Sequence, residues 1–137
     1  MQQARSPAHV LAALLLLAGL VGACSRGGDD DGNAADDISV EISVTPEPPQ
    51  IGPAVVEVTL TGPDGEPIND ADVEIEGNMS HAGMEPVIVD AEDGQNGRYL
   101  SQGFEFTMGG DWIITVSGTL PDGREFDRSF DLAGVAS

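Results

Sequence analysis

Ile38-Ser39-Val40-Glu41-Ile42-Ser43-Val44 alternates apolar and polar side chains without interruption. Successive side chains of an extended strand point to opposite faces, so Ile38, Val40, Ile42 and Val44 line one face while Ser39, Glu41 and Ser43 line the other. The pattern predicts a strand with one buried face, and it returns at Val56, Val58 and Leu60. Gly62-Pro63-Asp64-Gly65-Glu66-Pro67 then supplies turn residues for a reversal, and Val73 and Ile75 open the next strand. Further short runs are expected at Pro86 to Asp90, Arg98 to Gln102, Glu105 to Thr107, Trp112 to Ser117 and Glu125 to Leu132. Asp93-Gly94, Asn96-Gly97 and Asp122-Gly123 read as hairpin signals, because these pairs readily take the positive φ values of tight turns. After Asp37 no segment has a persuasive helical period. The sequence therefore predicts an all-β domain over 38–137, an immunoglobulin-like antiparallel β-sandwich of about seven or eight short strands. Trp112 and Tyr99 are expected as core or corner aromatics.

The chain has 137 residues, a single cysteine and a formal net charge of -19, with all five basic residues arginine. One cysteine excludes an intramolecular disulfide, so core burial must stabilise the domain. The acidic balance argues against nucleic acid and anionic lipid surfaces as direct partners, both of which demand clustered positive charge. It also keeps a small domain soluble through mutual repulsion.

The N-terminal residues have a different character. Arg5 precedes an uncharged apolar run from Val10 to Ala23, shorter than the roughly 20 residues that cross a bilayer comfortably, and the run stops at Cys24. Leu20-Val21-Gly22-Ala23-Cys24 resembles a bacterial lipobox, in which the cysteine is lipidated and becomes the new N-terminus. The expected organisation is a signal peptide over 1–23, lipidation at Cys24, an acidic tether over 24–37 and then the domain. The chain is thus expected to sit outside the cytoplasm, held to the cell-envelope membrane by its N-terminal lipid. Asp29 to Asp31 lack the ligand spacing and closing Glu of a calcium loop.

The most specific chemistry lies in Asn78-Met79-Ser80-His81-Ala82-Gly83-Met84. Thioether sulfur is a soft ligand that favours copper(I), and imidazole suits copper in either oxidation state. In an extended segment Met79 and His81 share a face, and Gly83 permits a bend that returns Met84 toward them. Met108, in Phe106-Thr107-Met108-Gly109-Gly110-Asp111-Trp112, is a possible fourth ligand from another loop. Methionine cannot lose a proton or close into a disulfide, so of these donors only His81 would make affinity depend on pH. The competing reading is that the methionines fill the core or form an adaptable contact surface. Zinc would want more His, Cys or carboxylate than the loop offers, and blue-copper chemistry requires a thiolate. No nucleophile elbow, phosphate-cradling loop or paired-His zinc motif is present, so the chain is not expected to be an enzyme.

From Ala71 to Asp131 the sequence resembles the YtkA-like domain and the related FixH proteins. The resemblance rests on Ala71-Asp72-Val73, Met79 to Met84, Gly97-Arg98-Tyr99, Phe106 to Trp112 and Asp122-Gly123-Arg124. It implies an exported or membrane-tethered immunoglobulin-like sandwich. It further implies copper handling, including assembly of copper-containing oxidases or copper efflux, with an envelope protein as acceptor. Where FixH proteins keep a membrane-spanning anchor, this chain carries the lipobox-like sequence.

Overall fold

A computed structural model describes residues 34–81 and 83–137. The expected signal peptide, Cys24 and the tether as far as Asn33 lie outside the described residues.

The alternating stretches form strands. They are β1 (Ser39–Thr45), β2 (Gly52–Pro53), β3 (Val55–Thr61), β4 (Asp72–Met79), β5 (Val87–Asp93), β6 (Arg98–Ser101), β7 (Glu105–Phe106), β8 (Gly110–Thr119) and β9 (Glu125–Val135). Seven of them hydrogen-bond as one antiparallel sheet in the order β1-β3-β6-β5-β4-β8-β9, and β2 pairs with β7 as a separate two-stranded piece. Nine strands stand where about seven or eight were expected. The addition without a sequence signal is β2, whose two residues, Gly and Pro, carry no alternation to read.

A seven-stranded sheet with one polar face could lie open, but here it curls over a single core. Val56, Val58 and Leu60 of β3, Val73 and Ile75 of β4, and Trp112, Ile114 and Val116 of β8 all belong to the same buried cluster. Strands at such separated places in the sheet order share a core only if the sheet folds back on itself, which makes a sandwich with barrel-like closure. The two edge strands approach each other as it closes. Residues flanking β1 make parallel bridges to β9, Ala34 to Glu125 at one end and Gln50 to Ala136 at the other.

The Gly62–Pro67 turn reverses the chain locally, with a Thr61–Pro67 bridge. It does not join neighbouring strands, because β3 and β4 are separated in the sheet by β6 and β5. The chain instead crosses through Ile68 and Ala71, and Tyr99 holds this crossing. Its hydroxyl donates to the Ile68 carbonyl at 2.7 Å and accepts from the Ala71 amide at 3.1 Å. Gly97, two residues before it, has φ +72, and a Cβ there would stand 2.4 Å from the Leu60 carbonyl oxygen, so position 97 of the Asn96-Gly97 turn has no room for any other residue.

Burial pushes the Tyr99 phenol above its ordinary pKa, and Asp93 and Asp70 add to the rise against the Ala71 amide. Tyrosine then ionises in the unfolded chain before it does so in the native one. Its contribution is complete below about pH 10 and is lost as pH climbs through the raised native value. Urea midpoints measured from pH 8 to 11 should fall more steeply for wild type than for Tyr99→Phe. At neutral pH the variant should lose about 1–3 kcal/mol, because the part-buried amide and carbonyl lose their shared partner.

The tether expected to run to Asp37 gives way to folded structure by Ala34. Ala35 is 1% exposed, its amide donates to the Glu125 carbonyl at 2.8 Å, and its carbonyl accepts from the Arg128 guanidinium at 3.0 Å. Arg124 reaches Asp37 at 2.7 Å and Asp122 at 2.9 Å. The Arg124 amide and guanidinium hold the Asp122 carboxyl below the usual carboxylate range. Asp36 and Asp37 gave the segment its disordered character in sequence, yet the small Ala35 between the polar residues fits into the core.

Candidate metal site

β4 and β8 are antiparallel partners, and their register decides where the methionines lie. Met79 ends β4 opposite Trp112 near the start of β8. The pairing extends one step further, with the Ser80 amide donating to the Asp111 carbonyl at 3.2 Å. On the other side of β8, Gly110 pairs with Val135 at the end of β9. One pole of the fold therefore gathers the β4–β5 loop carrying His81 and Met84, the β7–β8 loop carrying Met108, and the last residues of β9.

Met108 is fixed by its backbone. Its carbonyl accepts the Trp112 indole N–H at 3.0 Å, while the indole itself is buried and packs edge-on against Phe106 at 5.3 Å. The tryptophan thus meets its polar requirement through the loop that presents Met108. The Met108 side chain points outward and is 45% exposed.

The four candidate donors do not share one environment. Met79 is a core residue at 9% exposure, with its ε-methyl 3.3 Å from where a Cβ on Gly110 would stand. His81 is exposed, and Met84 is 37% exposed. The alternation that would have put Met79 and His81 on one face stops at Met79, because the strand ends there and Ser80 and His81 form a bend. Gly83 takes φ +97, the left-handed turn that the sequence suggested at this point. Packing thus claims Met79, while Met84, His81 and Met108 are open to solvent.

Among the described residues, no three His, Cys, Asp or Glu side chains form a metal-binding group. The softer donors at this pole are thioethers and one imidazole, a set that fits copper(I), with the carboxylates of Glu85 and Asp111 nearby. A groove of about 1060 Å³ lies toward the opposite pole, lined by Asp36, Asp72, Glu74, Asp90 and Asp127 among others. Glu74 and Asp90 stand directly opposite each other across β4 and β5 there. Arg128, also on the groove wall, bonds to the Ala35 and Asp127 carbonyls.

This arrangement defines an all-β sandwich module with a methionine-bearing pole. The sequence matches the YtkA-like family over residues 32–117, and the chain belongs to that family. The match takes in β1 to β7 and most of β8, and so covers every candidate donor. No curated protein and no solved structure matches the chain.

Proposed function

We propose that this chain is a lipid-anchored extracytoplasmic protein that binds copper(I) and passes it to an envelope acceptor, as chaperone, scavenger or adaptor in copper handling or oxidase assembly. The observation that carries the reading is the β4–β8 register, which brings the Met79–Met84 segment to the same pole as Met108. Its support is chemical: soft sulfurs and a single imidazole, three of the four residues open to solvent. His81, Met84 and Met108 would provide an accessible shell, and the Met79 sulfur lies on the core side beneath it. Exchangeable thioether coordination suits delivery better than storage.

The test must separate ligation from packing, because Met79→Ala would open a cavity costing about 2–5 kcal/mol whatever the metal does. Leucine replaces methionine at similar volume and removes only the sulfur. Titration of copper(I) against a chromophoric chelator should show one ion bound by wild type. Each of Met79→Leu, Met84→Leu and Met108→Leu should weaken binding by about tenfold, equivalent to about 1.4 kcal/mol. The Met79→Leu/Met84→Leu double variant should release the ion to the chelator. Superimposable curves for wild type and double variant would remove the reading.

A second reading has its own observation. Ile51, Met84 and Met108 are exposed apolar side chains belonging to the same pole, with the Ile51 amide tied to the Ala136 carbonyl at 2.8 Å. An adaptable methionine surface of this kind suits docking to an envelope protein without metal. Methionines that bind no copper yet resist peroxide oxidation when an interaction partner is present would favour it.

A further inference from the structure

The point at which the chain enters the fold and the pole that carries the methionines lie at opposite ends. Ala34 bridges to Glu125 at the first residue of β9, and Arg124 and Arg128 clamp Asp37 and the Ala35 carbonyl there. Gly110, next to the Met79 methyl, pairs with Val135 at the last residue of β9. The ten residue-to-residue steps of β9, at about 3.3 Å each, separate the two by about 30 Å.

We infer that the methionine pole is held off the bilayer, so that its partner is a soluble or extramembrane protein domain that approaches from the aqueous side. The inference rests on the lipid anchor at Cys24 included in the proposed function, and on the reach of the chain between that anchor and the fold. Ten residue-to-residue steps separate Cys24 from Ala34. Fully extended they span at most about 35 Å. With the tether pole toward the membrane, the chain needs no extension at all. Turning the methionine pole onto the bilayer would lift Ala34 about 30 Å from the surface and consume nearly the whole contour length. The clamp prevents the fold from yielding a longer tether, because Ala35 is part of the core and two arginines hold its neighbourhood.

The lipid-modified chain, free of metal and reconstituted into phosphatidylglycerol-containing vesicles, provides the test. The sulfur of Cys24, the only cysteine, is occupied by lipid, so a donor dye can be placed on Asp122→Cys at the tether pole or on Glu85→Cys in the exposed β4–β5 loop. Energy transfer to a headgroup-labelled lipid should be several-fold greater from position 122 than from position 85. Inserting twenty Gly/Ser residues between Cys24 and Ala34 should narrow that difference. Equal transfer from the two positions, or greater transfer from 85, would overturn the orientation. Failure of the chain to stay with the vesicles would overturn the anchor and the orientation together. Because no metal is present, each result is independent of the copper titration.

Discussion

Trp112→Ala should remove about 3–5 kcal/mol of folding stability, a large share of the roughly 5–15 kcal/mol that a domain of this size possesses. The indole is 2% exposed at the start of β8, where it meets Phe106 edge-on and lies opposite Met79 in the ladder. Truncation leaves a cavity that the stacked aromatics cannot close, and no disulfide is available to hold the described fold together while they try. In a thermal melt followed by circular dichroism, the midpoint should drop by about 15 °C or more. Trp112→Phe separates the two tasks of this side chain. It preserves much of the buried area but cannot donate to the Met108 carbonyl, so the β7–β8 loop loses its tie to β8. That variant should lose less stability than alanine while weakening copper(I) binding with every sulfur still present. If Trp112→Phe bound the ion as wild type does, the loop tie would be irrelevant to the site.

A comparable loss is expected from Gly118→Ala, at the opposite end of β8. A Cβ at this position would stand 2.1 Å from the Asp72 carbonyl oxygen and 3.0 Å from the Phe126 ring. The ring could swing aside, but the oxygen belongs to the backbone of the neighbouring strand, and Asp72 pairs with Thr119 in the same ladder. The β4 and β8 strands must part at this end, forfeiting ladder hydrogen bonds and exposing Phe126. The cost should be about 3 kcal/mol, at the upper end of overpacking effects. Urea denaturation provides the measurement, and hydrogen exchange should show the amides of Thr119 and Asp72 losing protection first. A glycine-to-alanine change usually stabilises a strand slightly by removing freedom from the unfolded chain, so an unchanged midpoint would mean that the close approach relaxes without cost. The methionine pole lies at the far end of β8, so folded Gly118→Ala should keep its copper(I) affinity.

These two residues illustrate what can be read from a sequence and what cannot. Trp112 announces itself by size and by the alternating Ile and Val that follow it; the same periodicity marks β1 and β3 within a residue of their observed ends, and β4 and β9 at their starts, while both of those strands run on past the expected residues, to Met79 and Val135. Gly118 gives no such signal. It lies in a strand whose pattern would tolerate any small residue, and only the approach of Asp72 makes a side chain impossible. β2 carries no sequence signal for a related reason, since a Gly-Pro pair becomes a strand solely because β7 lies beside it.

The candidate site divides along the same line. Its donor chemistry belongs to the sequence: soft sulfurs and one imidazole crowded into Met79 to Met84, with Met108 in a second glycine-rich loop. The left-handed bend at Gly83 follows from the same local information. Register, by contrast, is a property of strands far apart in the chain. The pairing of Met79 with Trp112 brings the two loops to one pole; strand alternation keeps Met79 on the inward face with Val73 and Ile75, and the end of β4 there leaves His81 and Met84 facing water.

Local alternation, turn residues and ligand chemistry were thus determined by the sequence alone, because each depends on the covalent neighbours of a residue. The closure of the sheet, the inclusion of Ala34 to Asp37 in the fold, the division between buried and open methionines, and the placement of Ala34 and the methionines at opposite poles were decided by the tertiary structure. Each of these depends on which strands meet, and a curled sheet brings together residues that no local pattern connects.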